Sequence, residues 1–111
     1  MELNLEYARK AEGAYYGDGA ALLAEKVARA AADHADTKDR AAAALGAIRE
    51  FAKETGHNPD IECFMRPEYG GWRVCYEAGP YAWAIVASEA LCQLRVFAEP
   101  NYNFDLVFYD E

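Results

Sequence analysis

The chain is 111 residues long, 53% hydrophobic and 14% aromatic, with 19 acidic against 11 basic side chains and a net charge of −8. A chain of this length buries roughly 65% of its unfolded surface, which argues against disorder and against any need for a metal or disulfide to hold a core. The acidic balance excludes nonspecific nucleic-acid binding, which depends on Lys and Arg neutralising phosphates, and no apolar run approaches the roughly 18 residues of a membrane span.

In chain order, helical spacing comes first. Leu3, Tyr7, Ala11 and Ala14 share one face; Leu23, Val27, Ala30 and His34 form a second stripe; Ala44, Leu45, Ile48, Phe51 and Ala52 form a third. Gly17-Asp18-Gly19 separates the first two helices, Asp36-Thr37 offers a cap for the third, and Gly56 marks its end. From Asn58 onward the pattern changes to alternation and turns. Asn58-Pro59-Asp60 punctuates, Ile61 to Arg66 reads as a strand, Pro67 to Gly71 as a hairpin loop and Trp72 to Glu77 as the return. Ala98 to Asn101 reads as a second turn, between a strand over Gln93 to Ala98 and one over Asn103 to Asp110. In that last strand Phe104, Leu106 and Phe108 alternate with Asp105, Val107 and Tyr109, which places the first set on the core. Gly79-Pro80 opens residues 81–91 either as a helix or as an extension of the sheet, and periodicity does not separate the two. The expected fold is α+β: one domain over residues 1–111, with about three helices in a helical half, 1–57, packed on one face of a mostly antiparallel sheet of about four strands in a β-rich half, 58–111.

The inventory for catalysis is thin. Ser88 is the sole serine, and it stands between Ala87 and Glu89 rather than on a glycine-flanked elbow. His34 and His57 fall at expected helix ends, where an imidazole caps carbonyls and suits the helix dipole. Cys63, Cys75 and Cys92, spaced 12 and 17 residues apart, fit neither a redox pair nor a zinc site and read as reduced, packed thiols. A Cys63–Cys75 disulfide is conceivable across the expected hairpin, but the cysteine density is not that of an oxidised scaffold. Gly13, Gly17 and Gly19 follow no strand and enclose Tyr15, Tyr16 and Asp18, unlike a phosphate loop. Glu77 and Asp105 could act as an acid–base pair in a cleft, and Asn101 to Asp105 alternates oxygen-bearing side chains but lacks the glycine and final glutamate of a calcium loop. No catalytic residue, metal site or cofactor is expected.

Charge divides unevenly. Residues 1–57 hold ten acids and eight bases, whereas 58–111 hold nine acids and three bases. With Trp72, Val74 and Tyr76 facing the helices, the opposite face of the sheet carries Arg73, Glu77, Arg95, Phe97, Glu99, Asp105 and Tyr109, with Tyr69, Tyr81 and Tyr102 nearby. Exposed aromatics among carboxylates suit an interface better than a merely solvated face. Glu77, Phe97, Glu99, Tyr102, Asp105 and Tyr109 are therefore the candidate partner-binding residues.

The run from Trp72 to Ala84 (Trp-Arg-Val-Cys-Tyr-Glu-Ala-Gly-Pro-Tyr-Ala-Trp-Ala) and the closing run from Glu99 to Tyr109 resemble segments of small acidic accessory proteins of bacteriophages, prophages and similar mobile elements. The resemblance covers less than a quarter of the chain and reaches none of the expected helices of residues 1–57. It implies a protein that binds and blocks a host or defence protein, including one whose basic surface holds nucleic acid. The sequence thus points to a noncatalytic binding module, with no direct nucleic-acid or membrane contact and with homodimerisation left open. The alternative is a small enzyme or ligand-binding domain with a pocket between helices and sheet. The amino terminus, Met1 to Glu6, is acidic where a signal peptide is basic and then apolar, so the expected location is cytoplasmic.

Overall fold

The computed structural model describes residues 19–111; the stripe of Leu3, Tyr7, Ala11 and Ala14 lies outside them. Helix α1 spans Ala20–Ala32 and α2 spans Thr37–Glu54. Asp36 caps α2 by accepting the Asp39 N–H through its carboxylate, and the chain leaves α2 through Gly56 at φ 86°, with the His57 N–H returning to the Ala52 carbonyl at 2.9 Å. One further turn of helix, α3 (Pro59–Glu62), follows. Here the expected strand starts late. The Asn58 side chain accepts the Asp60 N–H at 3.1 Å and Pro59 takes the first helical position, so the turn closes as helix before the chain extends at Cys63.

The sheet contains β1 (Cys63–Glu68), β2 (Gly71–Pro80), β3 (Val96–Ala98) and β4 (Asn103–Tyr109), in spatial order β1-β2-β4-β3 with every neighbouring pair antiparallel. Residues 81–91, which the sequence left open, form helix α4 (Tyr81–Leu91). β2 and β3 run parallel on either side of β4, so their connection has to cross the sheet, and α4 is that crossover. β3 is shorter than expected. Cys92–Leu94 closes as a 3₁₀ turn and Arg95 takes φ 58°, turning the chain before Val96. Gly70, at φ 75°, makes the β1–β2 turn, and Gly71 passes so close to the Phe108 carbonyl oxygen that a Cβ there would collide with it.

Helices α2 and α4 lie on the sheet, and α1 packs mainly across these two helices rather than on the strands. This position explains its alanines. Ala20, Ala21, Ala24, Ala28 and Ala31 are all buried beside Leu23 and Val27, while Ala30 is half-buried and His34 is exposed beyond the helix end. α4 has α1 on one side and the sheet on the other and is apolar nearly all round, so its sequence carried little periodicity to read. Beneath it Phe104, Leu106, Phe108, Val74 and Tyr76 form the sheet's contribution to the core, as the alternation predicts. Replacing Phe104 or Phe108 with alanine is expected to cost about 3 to 5 kcal/mol of a total near 5 to 15. Denaturant melts read this directly, and losses under about 0.5 kcal/mol for both would place these rings outside the core.

Candidate functional site

The face of the sheet turned away from the helices is built by the other set of alternating residues. Cross-strand register places Phe64 beside Cys75 and Asp105, and Arg66 beside Arg73 and Val107. Like charges directly opposite on neighbouring strands repel, and the two arginines are treated differently. Arg73 donates through Nε to Glu68 and through Nη1 to Asp105 at 2.8 Å, whereas among the described residues Arg66 makes no ion pair. Burial works against the Arg73 charge, but its bonds to Glu68 and Asp105 outweigh that effect and hold the guanidinium above its ordinary value.

Asp105 is 3% exposed. Its Oδ2 accepts from Arg73 and, also at 2.8 Å, from the Asn101 amide. The other end of the Asn101 side chain accepts the Tyr102 N–H at 2.7 Å. A continuous chain of polar contacts therefore runs from Glu68 through Arg73, Asp105 and Asn101 to the backbone of the β3–β4 turn. That turn holds Tyr102 with 99% of its surface exposed.

The six expected partner-binding residues separate into two groups. Asp105 faces the expected side of the sheet but is not solvent-facing, because the Arg73 pair takes it inside. Tyr109 is half-buried: its hydroxyl donates to Glu99 at 3.0 Å and its ring lies 6.0 Å from that of Phe97. Burial and the bond to Glu99 raise its phenol above the ordinary value. Glu99 is thereby half-occupied. Glu77, Phe97 and Tyr102 remain open to solvent, with Phe97 43% exposed. Sequence reasoning placed Arg73 on this face but missed its pairing with Glu68 and Asp105 and the part played by Asn101. The hairpin register sets Arg73 opposite Arg66, a clash that signals a nearby carboxylate.

Two depressions adjoin at the end of the sheet where Pro80 pairs with Asn103. One, of about 160 Å³, is lined by Phe64, Arg66, Glu77, Asn101 and Asn103 above the buried Cys75 and Asp105. The other, of about 350 Å³, is formed by Tyr81, Pro100, Asn101 and Tyr102. Asn101 belongs to both. Among the described residues no cluster of three or more His, Cys, Asp or Glu side chains could hold a metal, and no helix is long and apolar enough to cross a membrane.

His57 follows α2, with Nδ1 3.3 Å from a Glu62 oxygen and its ring against Tyr76, and the His34 carbonyl accepts from Arg40 at 3.0 Å. Cys63 points into the core beside Tyr76, whereas Cys75 lies on the opposite face of the sheet, so no disulfide can join them. Burial pushes the Cys63 thiol up to about 11, and burial together with Asp105 pushes Cys75 up to about 12. Compared with protein-family models, curated proteins and solved structures, the chain matches none.

Two consequences of the thiol environments can be measured. Iodoacetamide at pH 8 is expected to modify exposed Cys92 readily, and Cys63 and Cys75 only on unfolding, because neither buried thiol ionises there. Rapid labelling of Cys75 in the folded protein would contradict the assignment. Both folded values lie above the unfolded one, so the stability the buried thiols contribute is complete below about pH 8.5 and falls as pH rises toward 11 and 12. A Cys75→Ala variant should lose part of that alkaline dependence.

Proposed function

We propose that the protein is a noncatalytic protein-binding module of a mobile element, which uses the outer face of its sheet to occupy a basic surface of a host or defence protein, one that otherwise holds nucleic acid. The observation that carries this reading is the joint exposure of Phe97, Tyr102 and Glu77, with half-buried Glu99 nearby, beside an ion-paired, buried Asp105. Solvated sheet faces do not need large exposed rings. Rings supply desolvated anchors, and unpaired carboxylates steer a basic surface toward them. The two buried thiols stay protonated at neutral pH, which fits binding better than nucleophilic chemistry. On this reading the protein works in the cytoplasm, without a cofactor.

Affinity capture from the host cell, followed by binding measurements on variants, tests the proposal. Glu77→Lys with Glu99→Lys should slow association and flatten its salt dependence, while Phe97→Ala should mainly speed dissociation. The matched reversals Asp33→Lys and Glu50→Lys, on exposed helical positions, should leave both rates within about twofold. Equal losses from the two sets, or loss from the helical set alone, would place the interface elsewhere.

A further inference from the structure

We infer that the cleft where the two depressions meet, between Glu77 and the rings of Tyr81 and Tyr102, is a seat for a single arginine side chain of the protein partner. The inference rests on the proposed use of this face for protein binding and names the group recognised there.

Three features of the cleft favour a guanidinium. Glu77 is exposed and, among the described residues, has no hydrogen-bond or ion-pair partner, whereas Glu68 and Asp105 are held by Arg73 and Glu99 by Tyr109. Tyr81, Pro100 and Tyr102 give the 350 Å³ depression an apolar lining, suited to the methylene stem and to stacking against a planar cation. Asn101, shared by both depressions, is fixed at each end of its amide by Asp105 and by the Tyr102 N–H. The turn that presents Tyr102 is therefore pinned before any partner arrives, which lowers the ordering cost of binding.

Arg66 lines the smaller depression together with Glu77 but not the larger one, so the seat takes the guanidinium on the Tyr81 and Tyr102 side of Glu77. A lysine fits less well, because a compact, strongly hydrated ammonium neither stacks on tyrosine as a guanidinium does nor engages a carboxylate through two parallel bonds.

The experiment is an NMR titration of the intact protein with Nα-acetyl-L-arginine amide, beside its lysine counterpart and the neutral citrulline isostere. Arginine amide should produce saturable shifts at Glu77, Asn101 and Tyr102, lysine amide weaker ones and citrulline amide none. Tyr102→Ala should reduce affinity about 3- to 30-fold. Tyr102 is 99% exposed, so this variant keeps its fold; Glu77→Gln should reduce affinity similarly. Equal binding of citrulline amide, equal binding of lysine amide, or arginine shifts that persist unchanged in both variants would each overturn the inference. Should the double reversal at Glu77 and Glu99 weaken the captured partner while arginine amide fails to bind, the seat is wrong and the binding face stands. Should arginine amide bind in the cleft while reversals on the face leave the partner unaffected, the binding face is wrong and the seat stands.

Discussion

Asp105 is a carboxylate taken almost wholly out of water on the side of the sheet away from the helices that form the core. A charge in that position must be matched locally, because an unpaired buried carboxylate costs several kcal/mol. Arg73 matches it and is held in turn by Glu68, so three strands' worth of backbone is registered by one polar cluster: Glu68 from β1, Arg73 from β2 and Asp105 from β4. Buried ion pairs add little net stability against an apolar replacement. Their effect here is positional. Asp105 also fixes Asn101, and Asn101 fixes the turn that carries Tyr102.

The two faces of the sheet are consequently stabilised in different ways. On the helical side Val74, Tyr76, Phe104, Leu106 and Phe108 pack under α2 and α4 and contribute through area removed from water. On the other side Val107 is fully buried between its cross-strand neighbours Arg73 and Phe97, and the ring of Tyr109 lies against Phe97. Glu68, Arg73 and Asp105 neutralise one another near the centre, Arg66 makes no ion pair among the described residues, and Glu77 and Tyr102 are left open at one end.

Much of this was legible in the sequence, and the parts that were not have identifiable causes. Period-two alternation in β4 set Phe104, Leu106 and Phe108 on the core, and the Asp36 and Gly56 signals bounded α2, because each is a local preference that tertiary context reinforced. α4 escaped because a helix buried on two sides has no polar stripe to reveal its period. α3 and the short β3 escaped because a single capped turn at Asn58-Pro59 and a left-handed Arg95 each moved a boundary by a few residues. Parity assigned Asp105 to the correct face but could not show its burial. That depends on the insertion of β4 beside β2, a long-range pairing with no signature in the sequence of either strand.

The buried Arg73–Asp105 pair organises the turn that presents Tyr102. The most direct measurement is the ¹⁵N relaxation order parameter of the Tyr102 amide in the native protein and in Asp105→Ala. A rigid amide near 0.85 is expected in the native protein and a value below about 0.6 in the variant, with the β2–β4 ladder still protected from exchange. An unchanged order parameter in a folded Asp105→Ala variant would contradict it.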